Sequence, residues 1–313
     1  MASPRSGLSS QLGYGAESTV GTGVTPTRFL PHASVKIQQK IDRLESKGTI
    51  AGRRVLDANL WATGNITVSG AVRHELYNHQ MTLLMKHAFG GYAVTGAGPY
   101  THTMTPGDLY GLGLTIQAGI PDISGTVQPF TWAGCKVAKW ELACKTGEIV
   151  EWGMDVVGMS ETTATALASA SYGTLTPITF LHGALTVSGS DFPAKAITLA
   201  GDNKLDAGRR KIGSATILEP IEADLREYGG TITAEFTNLT AYNRFVNGTT
   251  GALVLALTSG SDSYTFTANV RYDGETPSVN GRGVVELTLP FKCIGTTDAA
   301  ALTLVAVNSD ATA

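Results

Sequence analysis

Apolar and polar residues alternate along several short segments of the chain, which is 313 residues long. Successive side chains of a strand point to opposite faces of a sheet, so this alternation predicts strands with one buried and one wet face. The alternation is clearest, with an apolar or small residue at every second position, in residues 64–72, 150–156, 230–236 and 285–291.

Two segments carry apolar residues at helical spacing, and each is followed by residues that end helices. Gly90-Gly91 follows the first segment and Asn247-Gly248 follows the second. We therefore expect one short helix in each half of a mainly β protein. The apolar faces of these helices are formed by Tyr77, Met81, Leu84, Met85 and Ala88, and by Tyr242, Phe245 and Val246.

A repeat organises the chain. The tetrapeptide Ala-Gly-Arg-Arg at 51–54 recurs at 207–210, and a strand, a helix and a hairpin of strands follow it in the same order in both places. Such self-similarity predicts a duplication, here two tandem β-sandwich or barrel domains that each pack one α-helix. The boundaries that follow are an N-terminal arm at 1–33, a first copy at 34–160 with a long loop at 90–125, a linker with a leading strand at 161–190, and a second copy with a C-terminal tail at 191–313.

Composition and charge exclude several classes of protein. Charged residues are 16% of the chain and the formal net charge is −3, so no basic field is present to attract nucleic acid or an anionic membrane. No uncharged apolar run approaches the roughly 20 residues of a membrane span, and the N-terminus carries no apolar signal segment. Cys135, Cys144 and Cys293 have no metal-binding spacing and are expected to be reduced.

Candidate catalytic and metal-binding motifs fail on spacing or surroundings. His74 and His79 resemble the histidine pair of a zinc protease, but their spacing would point them about 140° apart on a helix. We interpret them as surface or interface histidines. Glu141, Glu151 and Asp155 suggest a glycosidase pair but lie on polar strand faces without a neighbouring subsite motif. The sequence therefore predicts no catalytic, metal-binding or cofactor-binding residues.

A further set of motifs resembles one family over nearly the whole chain. The stretch Gly-Tyr-Gly-Ala-Glu-Ser-Thr-Val-Gly at 13–21 and the motif Pro-Phe-Thr-Trp-Ala-Gly-Cys-Lys at 129–136 resemble those of major tail tube proteins of long-tailed, siphovirus-like bacteriophages, particularly the actinobacteriophage type. The other matching stretches are residues 22–31, 43–48, 51–54, 161–166, 225–228, 239–246 and 272–277. The resemblance implies a structural virion protein, not an enzyme, that needs no cofactor. Its domains are expected to join their neighbours into a closed ring barrel, and the rings to stack into the hollow tail tube that conducts the DNA genome into the host.

The resemblance and the residues together indicate where the chain is expected to make its contacts. The arm at 10–31 and the loop at 90–125 are expected to bridge neighbouring subunits and rings. Expected contact residues between subunits are Tyr14, Phe29, Arg53, Arg54, Arg209 and Arg210. A wall along which DNA slides should not neutralise phosphates, so acidic residues on the matched polar strand faces are expected to line the lumen. These are Glu151, Asp155 and Glu286, with Glu235 as a weaker candidate.

Two tube domains in each chain predict a trimeric ring with pseudo-sixfold symmetry, because three chains then supply six domains. A hexamer in which one copy lines the lumen is the alternative. Expected partners are further copies of the chain, tail terminator and tail-tip proteins at the tube ends, and the tape measure protein and genomic DNA, which pass through the lumen without specific binding. No membrane partner is expected, and the protein is expected in the virion tail after synthesis in the host bacterial cytoplasm.

A binding module is the competing function, in the form of a two-domain β-sandwich adhesin or carbohydrate-binding module. Such a protein needs exposed aromatic platforms, whereas aromatic residues are 7% of this chain and mostly share the phase of core positions. An enzyme ranks third. Electron microscopy separates these functions, because tubes favour the first and discrete particles the other two.

Overall fold

The structure, a computed structural model, describes residues 6–274, 276–279 and 281–313. Within these residues the strands are β1 (Gln11–Glu17), β2 (Arg28–Phe29), β3 (Ser34–Glu45), β4 (Trp61–Glu75), β5 (Gly90–Thr95), β6 (Tyr100–Pro106), β7 (Gly113–Pro121), β8 (Val127–Lys145), β9 (Glu151–Gly158), β10 (Ser160–Thr162), β11 (Gly183–Val187), β12 (Ser190–Asp191), β13 (Ala194–Asp202), β14 (Leu205–Asp206), β15 (Ile221–Glu222), β16 (Glu227–Glu235), β17 (Thr250–Ser259), β18 (Asp262–Tyr272), β19 (Glu286–Cys293) and β20 (Leu302–Asn308). The helices are α1 (Thr82–Phe89), α2 (Leu239–Val246) and α3 (Asp298–Ala301). The expectation of a mainly β protein with few helices is confirmed.

One antiparallel sheet runs through both halves of the chain. Its strands lie in the order β3-β4-β9-β8-β13-β16-β19-β18, and we call it the continuous sheet. The two halves of the chain meet at the pair β8–β13, where Lys139 lies opposite Asp202 and Lys145 lies opposite Ala196. The backbone hydrogen bonds of a sheet therefore join the halves directly.

A second layer of strands packs on the continuous sheet. In the first half its order is β1-β7-β8-β10, with β8 long enough to take part in both layers. In the second half the order is β11-β17-β18-β20, and β6 and β5 extend this layer beyond β20. The buried apolar side chains of both layers and of α1 form one core.

The pairing pattern of the first half recurs in the second half. Strands β1, β3, β4, β7, β8, β9 and β10 have the same order of partners as β11, β13, β16, β17, β18, β19 and β20. The registers correspond as well, because Gly70 of β4 lies opposite Ile37 and Gly230 of β16 lies opposite Leu199. A strand position in one half can therefore be matched to a position in the other half.

The matched glycines Gly70 and Gly230 allow the neighbouring strand to approach closely. A Cβ atom at Gly70 would lie 2.1 Å from the carbonyl oxygen of Lys36, and one at Gly230 would lie 1.9 Å from that of Thr198. Both distances are far shorter than any real contact, so each half requires glycine at the same place in its sheet.

The segment 90–125 contains three strands, which corrects the expectation of a long loop. Strand β7 belongs to the first half, whereas β6 pairs with β20 of the second half. His102 and Met104 of β6 are buried, and the His102 ring bonds to Tyr92 and Asn308. The Gly, Pro and Thr content of this segment predicts a loop. Strand β6 carries no clear apolar alternation that would indicate a strand, and hydrogen bonds of the buried His102 side chain help to hold it in place.

The segment 1–33 is also not a free arm, because β1 pairs with β7 along its whole length. Leu12 and Tyr14 of β1 are fully buried. The ring of Phe29 fills the place of a Cβ at Gly13, at 2.7 Å, so the returning chain packs directly on the glycine. The glycines that make this close approach possible also hide the strand alternation from the sequence.

Both predicted helices are present, although α1 is shorter than its apolar spacing predicts. Tyr77 precedes α1 and forms an isolated bridge to Pro177, so the chain is extended there and the helix begins at Thr82. Gly90, with φ of 93°, ends α1 as expected. In α2 the side chain of Asn238 accepts a hydrogen bond from the N–H of Thr240, which caps the first turn.

Four aromatic side chains join the halves inside the core. Trp140 of β8 stacks on Phe89 with ring centroids 5.1 Å apart and on Trp152 at 5.2 Å. Tyr228 of β16 lies 6.0 Å from the Trp140 ring. Trp140 thus packs beneath the pair β8–β13 and contacts aromatic rings from both halves.

Candidate functional site

Charged side chains of both halves meet on the polar face of the continuous sheet. A row of directly opposed residues crosses this face from β4 to β19, and its members are Arg73, Gly153, Glu141, Ala200, Gly229 and Lys292. Glycine and alanine in the middle of the row leave room for a depression of about 440 Å³. The depression is open and bordered by charges of both signs.

Ion pairs balance much of the charge on this face. Arg73 Nη2 lies 3.0 Å from Asp155 Oδ1, and Lys139 Nζ lies 3.1 Å from Asp202 Oδ2. The second pair bridges the junction between β8 and β13. Because these pairs lie at the surface, each contributes at most about 1 kcal/mol to stability. Their main effect is to make the face polar and close to neutral.

The predicted acidic residues Glu235 and Glu286 lie directly opposite each other on β16 and β19. Lys195 Nζ lies 3.3 Å from Glu235 Oε1 and 2.9 Å from Glu286 Oε1. The hydrogen bonds to Glu286 and Glu235 raise the pKa of Lys195 above its ordinary value. This lysine therefore holds two like charges together on an exposed face.

The predicted residues Glu151 and Asp155 lie on the same face, on β9. Glu151 is directly opposite Glu75 of β4, which repeats in the first half the opposed pair of the second. The Tyr77 hydroxyl donates to Glu75 Oε2 at 3.1 Å, and burial together with this carboxylate raises the pKa of Tyr77 to about 12. The structure brings all four predicted acidic residues to one face, although Asp155, Glu235 and Glu286 are paired with cations.

The four predicted arginines have different surroundings. Arg53 is paired with Asp57 of its own exposed loop, and Arg54 is exposed. In contrast, Arg209 donates to the carbonyl oxygen of Glu219 at 2.8 Å, and Arg210 donates to that of Ala215 at 2.6 Å. The guanidinium groups of Arg209 and Arg210 thus bind carbonyl oxygens within the chain, and their contacts between subunits stay a prediction.

Arg210 also reaches across the junction between the halves. Its Nη2 donates to the carbonyl oxygen of Ile66 in β4 at 3.1 Å, and the N–H of Ile66 donates to Ala215 at 2.8 Å. The second Gly-Arg-Arg loop, at 207–210, thus packs on the first half of the chain. The first such loop, at 51–54, joins β3 to β4.

Tyr14 and Phe29 lie in the chain's own core, which corrects their expected role as contacts between subunits. Tyr14 is fully buried and Phe29 is 4% exposed. The Tyr14 hydroxyl donates to Nε2 of His74 at 2.6 Å, and Nδ1–H of His74 donates to the carbonyl oxygen of Pro31 at 2.6 Å. His74 is 1% exposed, so the expectation of a surface or interface histidine is also wrong. It is a buried neutral imidazole that fixes β1 to β4.

Burial lowers the pKa of His74 to about 4, and the nearby His32 acts in the same direction. The native state therefore resists protonation, whereas the unfolded imidazole, with a pKa of about 6.5, gains a proton as the pH falls. The contribution of His74 to the free energy of unfolding is therefore present above pH 6.5 and is lost on acidification toward pH 4. From pH 7 to pH 5 we expect His74 to account for a loss of about 2 kcal/mol in urea-measured unfolding free energy.

The variant His74→Gln should show a shallower dependence of unfolding free energy on pH over the same interval. Some dependence remains, because burial also lowers the pKa of His87. An unchanged slope in His74→Gln would show that His74 is not the group responsible.

Two features of the polar face are absent from the sequence predictions. The first is the pairing of β8 with β13, and the second is the Lys139–Asp202 contact across it. Strand β8 spans 19 residues, and a run of that length between turns is the signal that it serves two layers.

Cys135, Cys144 and Cys293 are buried thiols, and burial raises the pKa of Cys293 to about 12.

Neither a metal-binding cluster nor a membrane-spanning helix is found in the residues that the structure describes. No three side chains of the types His, Cys, Asp and Glu converge there as a metal site requires. None of the described helices has both the length and the apolar character that crossing a bilayer requires.

Comparison with known proteins gives one result that covers most of the chain. The model of the phage tail tube protein family matches residues 7–293. A comparison with curated proteins found no match.

Proposed function

Because the chain belongs to the phage tail tube protein family, we propose that it builds the tube wall from two tandem tube units in each chain. Membership supports a structural role in the tail tube, a place in the virion tail, and self-assembly into the tube. It also suggests a protein that is not an enzyme.

The repeated strand pairing is the observation that carries the proposal. Each half has the same two layers, the same helix position and the same close glycine contact, at Gly70 and at Gly230. A duplication accounts for this agreement, since two unrelated sheets have no reason to need glycine at matched positions. In this proposal each half supplies one sandwich unit with its helix, and the two units share the continuous sheet.

Three chains would supply six units, so we propose a trimeric ring with pseudo-sixfold symmetry. The pair β8–β13 supports this stoichiometry, because it joins the two units of one chain edge to edge. If units of neighbouring chains join in the same way, the sheets close into a barrel without free edges. Stacked rings would then form the hollow tube of a long-tailed phage, of the actinobacteriophage type that the sequence resembles.

The polar face of the continuous sheet is proposed to line the lumen. Its other face is covered by the second layer, so this is the face left to solvent. Its ion pairs, such as Arg73–Asp155 and Lys139–Asp202, leave few free cations to hold DNA phosphates. Since each neutralised phosphate adds salt-dependent affinity, a balanced wall lets the duplex slide.

Reversing the charges of the lumen face should make assembled tubes retain DNA. We expect Glu235→Lys with Glu286→Lys to bind short duplex DNA more tightly than the native tube. The dependence of log affinity on log salt should steepen by about one for each additional phosphate that the wall neutralises. The matched control is Asp224→Lys with Asp298→Lys, a double charge reversal at exposed residues outside the continuous sheet. Equal binding by the control and the lumen-face variant would contradict a lumen role for Glu235 and Glu286.

Tail terminator and tail-tip proteins are proposed as partners at the two ends of the tube. The tape measure protein and genomic DNA are proposed to occupy the lumen in turn without specific binding. Synthesis in the cytoplasm of the bacterial host, before incorporation into the virion, completes the proposal.

Electron microscopy of the purified chain tests the proposed function. Tubes of uniform diameter with a hollow centre are the expected result at high protein concentration. Discrete particles under all conditions of salt and concentration would contradict it, and would favour the two-domain adhesin or carbohydrate-binding alternative.

A further inference from the structure

We propose that the segment following β18 in one copy of the chain pairs with the free edge of β3 in the next copy. The register is the one that β8 and β13 use within a chain. The proposal rests on the proposed tube function and adds to it the strands, the register and the side chains of the contact between chains.

Strand β18 corresponds to β8 but is shorter, with 11 residues against 19. Strand β8 continues beyond its pairing with β7 and lies between β9 and β13 up to Lys145. Strand β18 ends at Tyr272, after pairing with β19 over three residues. Of the described residues between β18 and β19, none lies in a strand. Strand β18 therefore ends at the position from which β8 continues to pair with β13.

The pairing of β8 with β9 and of β18 with β19 gives the corresponding positions in the two halves. Val137 lies opposite Val156 in the first half, and Tyr272 lies opposite Phe291 in the second. The next paired residue of β8 is Lys139, which follows a bulge. Its counterpart is Asp273, whose N–H donates to the carbonyl oxygen of Pro290 at 2.8 Å. The chain after Tyr272 thus already starts along the path of β8.

Strand β3 provides the edge that receives this segment. Strand β13 is paired on both sides, by β8 and by β16, whereas β3 pairs with β4 and with no other strand of the described residues. Since Ile37 corresponds to Leu199, Lys40 of β3 occupies the position of Asp202. The contact between chains consequently sets Asp273 opposite Lys40.

Charge supports this register. Within a chain the opposed pair is Lys139 with Asp202, at 3.1 Å, and between chains it is Asp273 with Lys40, so the two charges exchange strands. Lys40 Nζ lies 3.9 Å from Asp42 Oδ1 of its own strand, a surface pair that leaves the Lys40 side chain 81% exposed. Lysines on an edge strand discourage indiscriminate pairing, so the strand that pairs with β3 should carry a matching carboxylate.

Side-chain size supports the register as well. At the internal junction Trp140 lies against Gly201, where a Cβ atom would be 2.4 Å from Trp140 Nε1. The corresponding residues between chains are Gly274 and Gln39. A large side chain faces a glycine in both cases. Within a chain β8 supplies the large side chain, whereas between chains β3 supplies it and the segment after β18 supplies the glycine.

Cysteine cross-linking tests the register in the assembled protein. We expect Lys40→Cys with Asp273→Cys to form disulfide-linked chains under mild oxidation, seen as a ladder of multiples on denaturing gels. The control is Gln38→Cys with Asp273→Cys, whose residues are two positions out of register. Diagonal neighbours of that kind lie about 7–8 Å apart, which is too far for an unstrained disulfide.

A charge exchange provides a second measurement. We expect Lys40→Asp to raise the protein concentration needed for tube formation about fivefold, and Lys40→Asp with Asp273→Lys to restore it. Both residues are exposed in the single chain, so thermal unfolding of the unassembled variants should match that of the native chain.

The outcomes separate this contact from the proposed function. Tubes that form without cross-linking at positions 40 and 273, or that cross-link equally at 38 and 273, would overturn the register and leave the tube function standing. Failure of the native chain to form tubes would instead contradict the function itself. Failure of Asp273→Lys to rescue Lys40→Asp would contradict the charge contact.

Discussion

Replacing Trp140 by alanine is expected to lower the free energy of unfolding by about 3–5 kcal/mol, the range for removing a large aromatic side chain from a core. Trp140 is 2% exposed and stacks on Phe89 and Trp152, with Tyr228 close to its ring. Alanine leaves a cavity directly beneath the pair β8–β13. We therefore expect one cooperative transition in the native chain, measured by urea unfolding, and a broader or biphasic one in Trp140→Ala as the halves lose their coupling.

Trp61→Ala is the matched control for this loss. Trp61 is 50% exposed, and its ring contacts the guanidinium group of Arg43 at 5.3 Å. Its removal should change the free energy of unfolding by less than about 1 kcal/mol. Equal effects of Trp61→Ala and Trp140→Ala would show that the aromatic contacts beneath the junction contribute nothing particular to stability.

Gly230→Ala is expected to cost about 3 kcal/mol or more, because the new methyl group cannot be accommodated by a side-chain movement. Its Cβ would lie 1.9 Å from the carbonyl oxygen of Thr198, which belongs to the backbone of β13. The two strands must separate, and the ladder hydrogen bonds around this position weaken with them. Circular dichroism during thermal unfolding measures the loss, and Gly70→Ala should show a similar one.

Gly7→Ala is the control for the glycine substitutions. Gly7 is exposed, has no atom within 4 Å of an added Cβ, and is outside the sheets. Its stability should match that of the native chain within about 0.5 kcal/mol. A native-like melting temperature for Gly230→Ala would refute the close strand contact, and with it one of the two matched positions that support the duplication.

The strands that the sequence predicts well are those with one apolar and one polar face. Strands β4, β9, β16 and β19 alternate because one face meets the core and the other meets solvent. The repeat around the two Gly-Arg-Arg loops likewise placed a strand and then a helix after each loop, as the structure has them. Local periodicity was sufficient in these cases because burial of one face determines it.

The strands that the sequence missed are stabilised by contacts with distant parts of the chain. The side chains of Phe29 and Val24 pack against the glycines of β1. In this strand apolar residues therefore alternate with glycine instead of with polar residues. Buried His102 of β6 is held by Tyr92 and Asn308. Neither arrangement leaves a pattern within a short window, and both depend on which strands become neighbours.

The four acidic residues were placed on the polar face by their phase alone. Their cation partners could not be predicted in this way, because Lys195 approaches Glu286 only through the pairing of β13 with β16 and of β16 with β19. The low charge of the chain, 16% charged residues, fits a molecule in which one sheet face is balanced by internal pairs. The alternation along a strand identifies which residues share a face, whereas the order of the strands determines which charged side chains of that face form ion pairs.

The most direct test of the account is a cryo-EM reconstruction of the assembled tube, read for the number of chains in one ring. We predict three chains, with both halves of each lining the lumen and with β8–β13 alternating with the pair formed by β3 and the segment after β18. Six chains per ring with one half facing the lumen, or a lumen lined by the opposite face of the continuous sheet, would contradict the account.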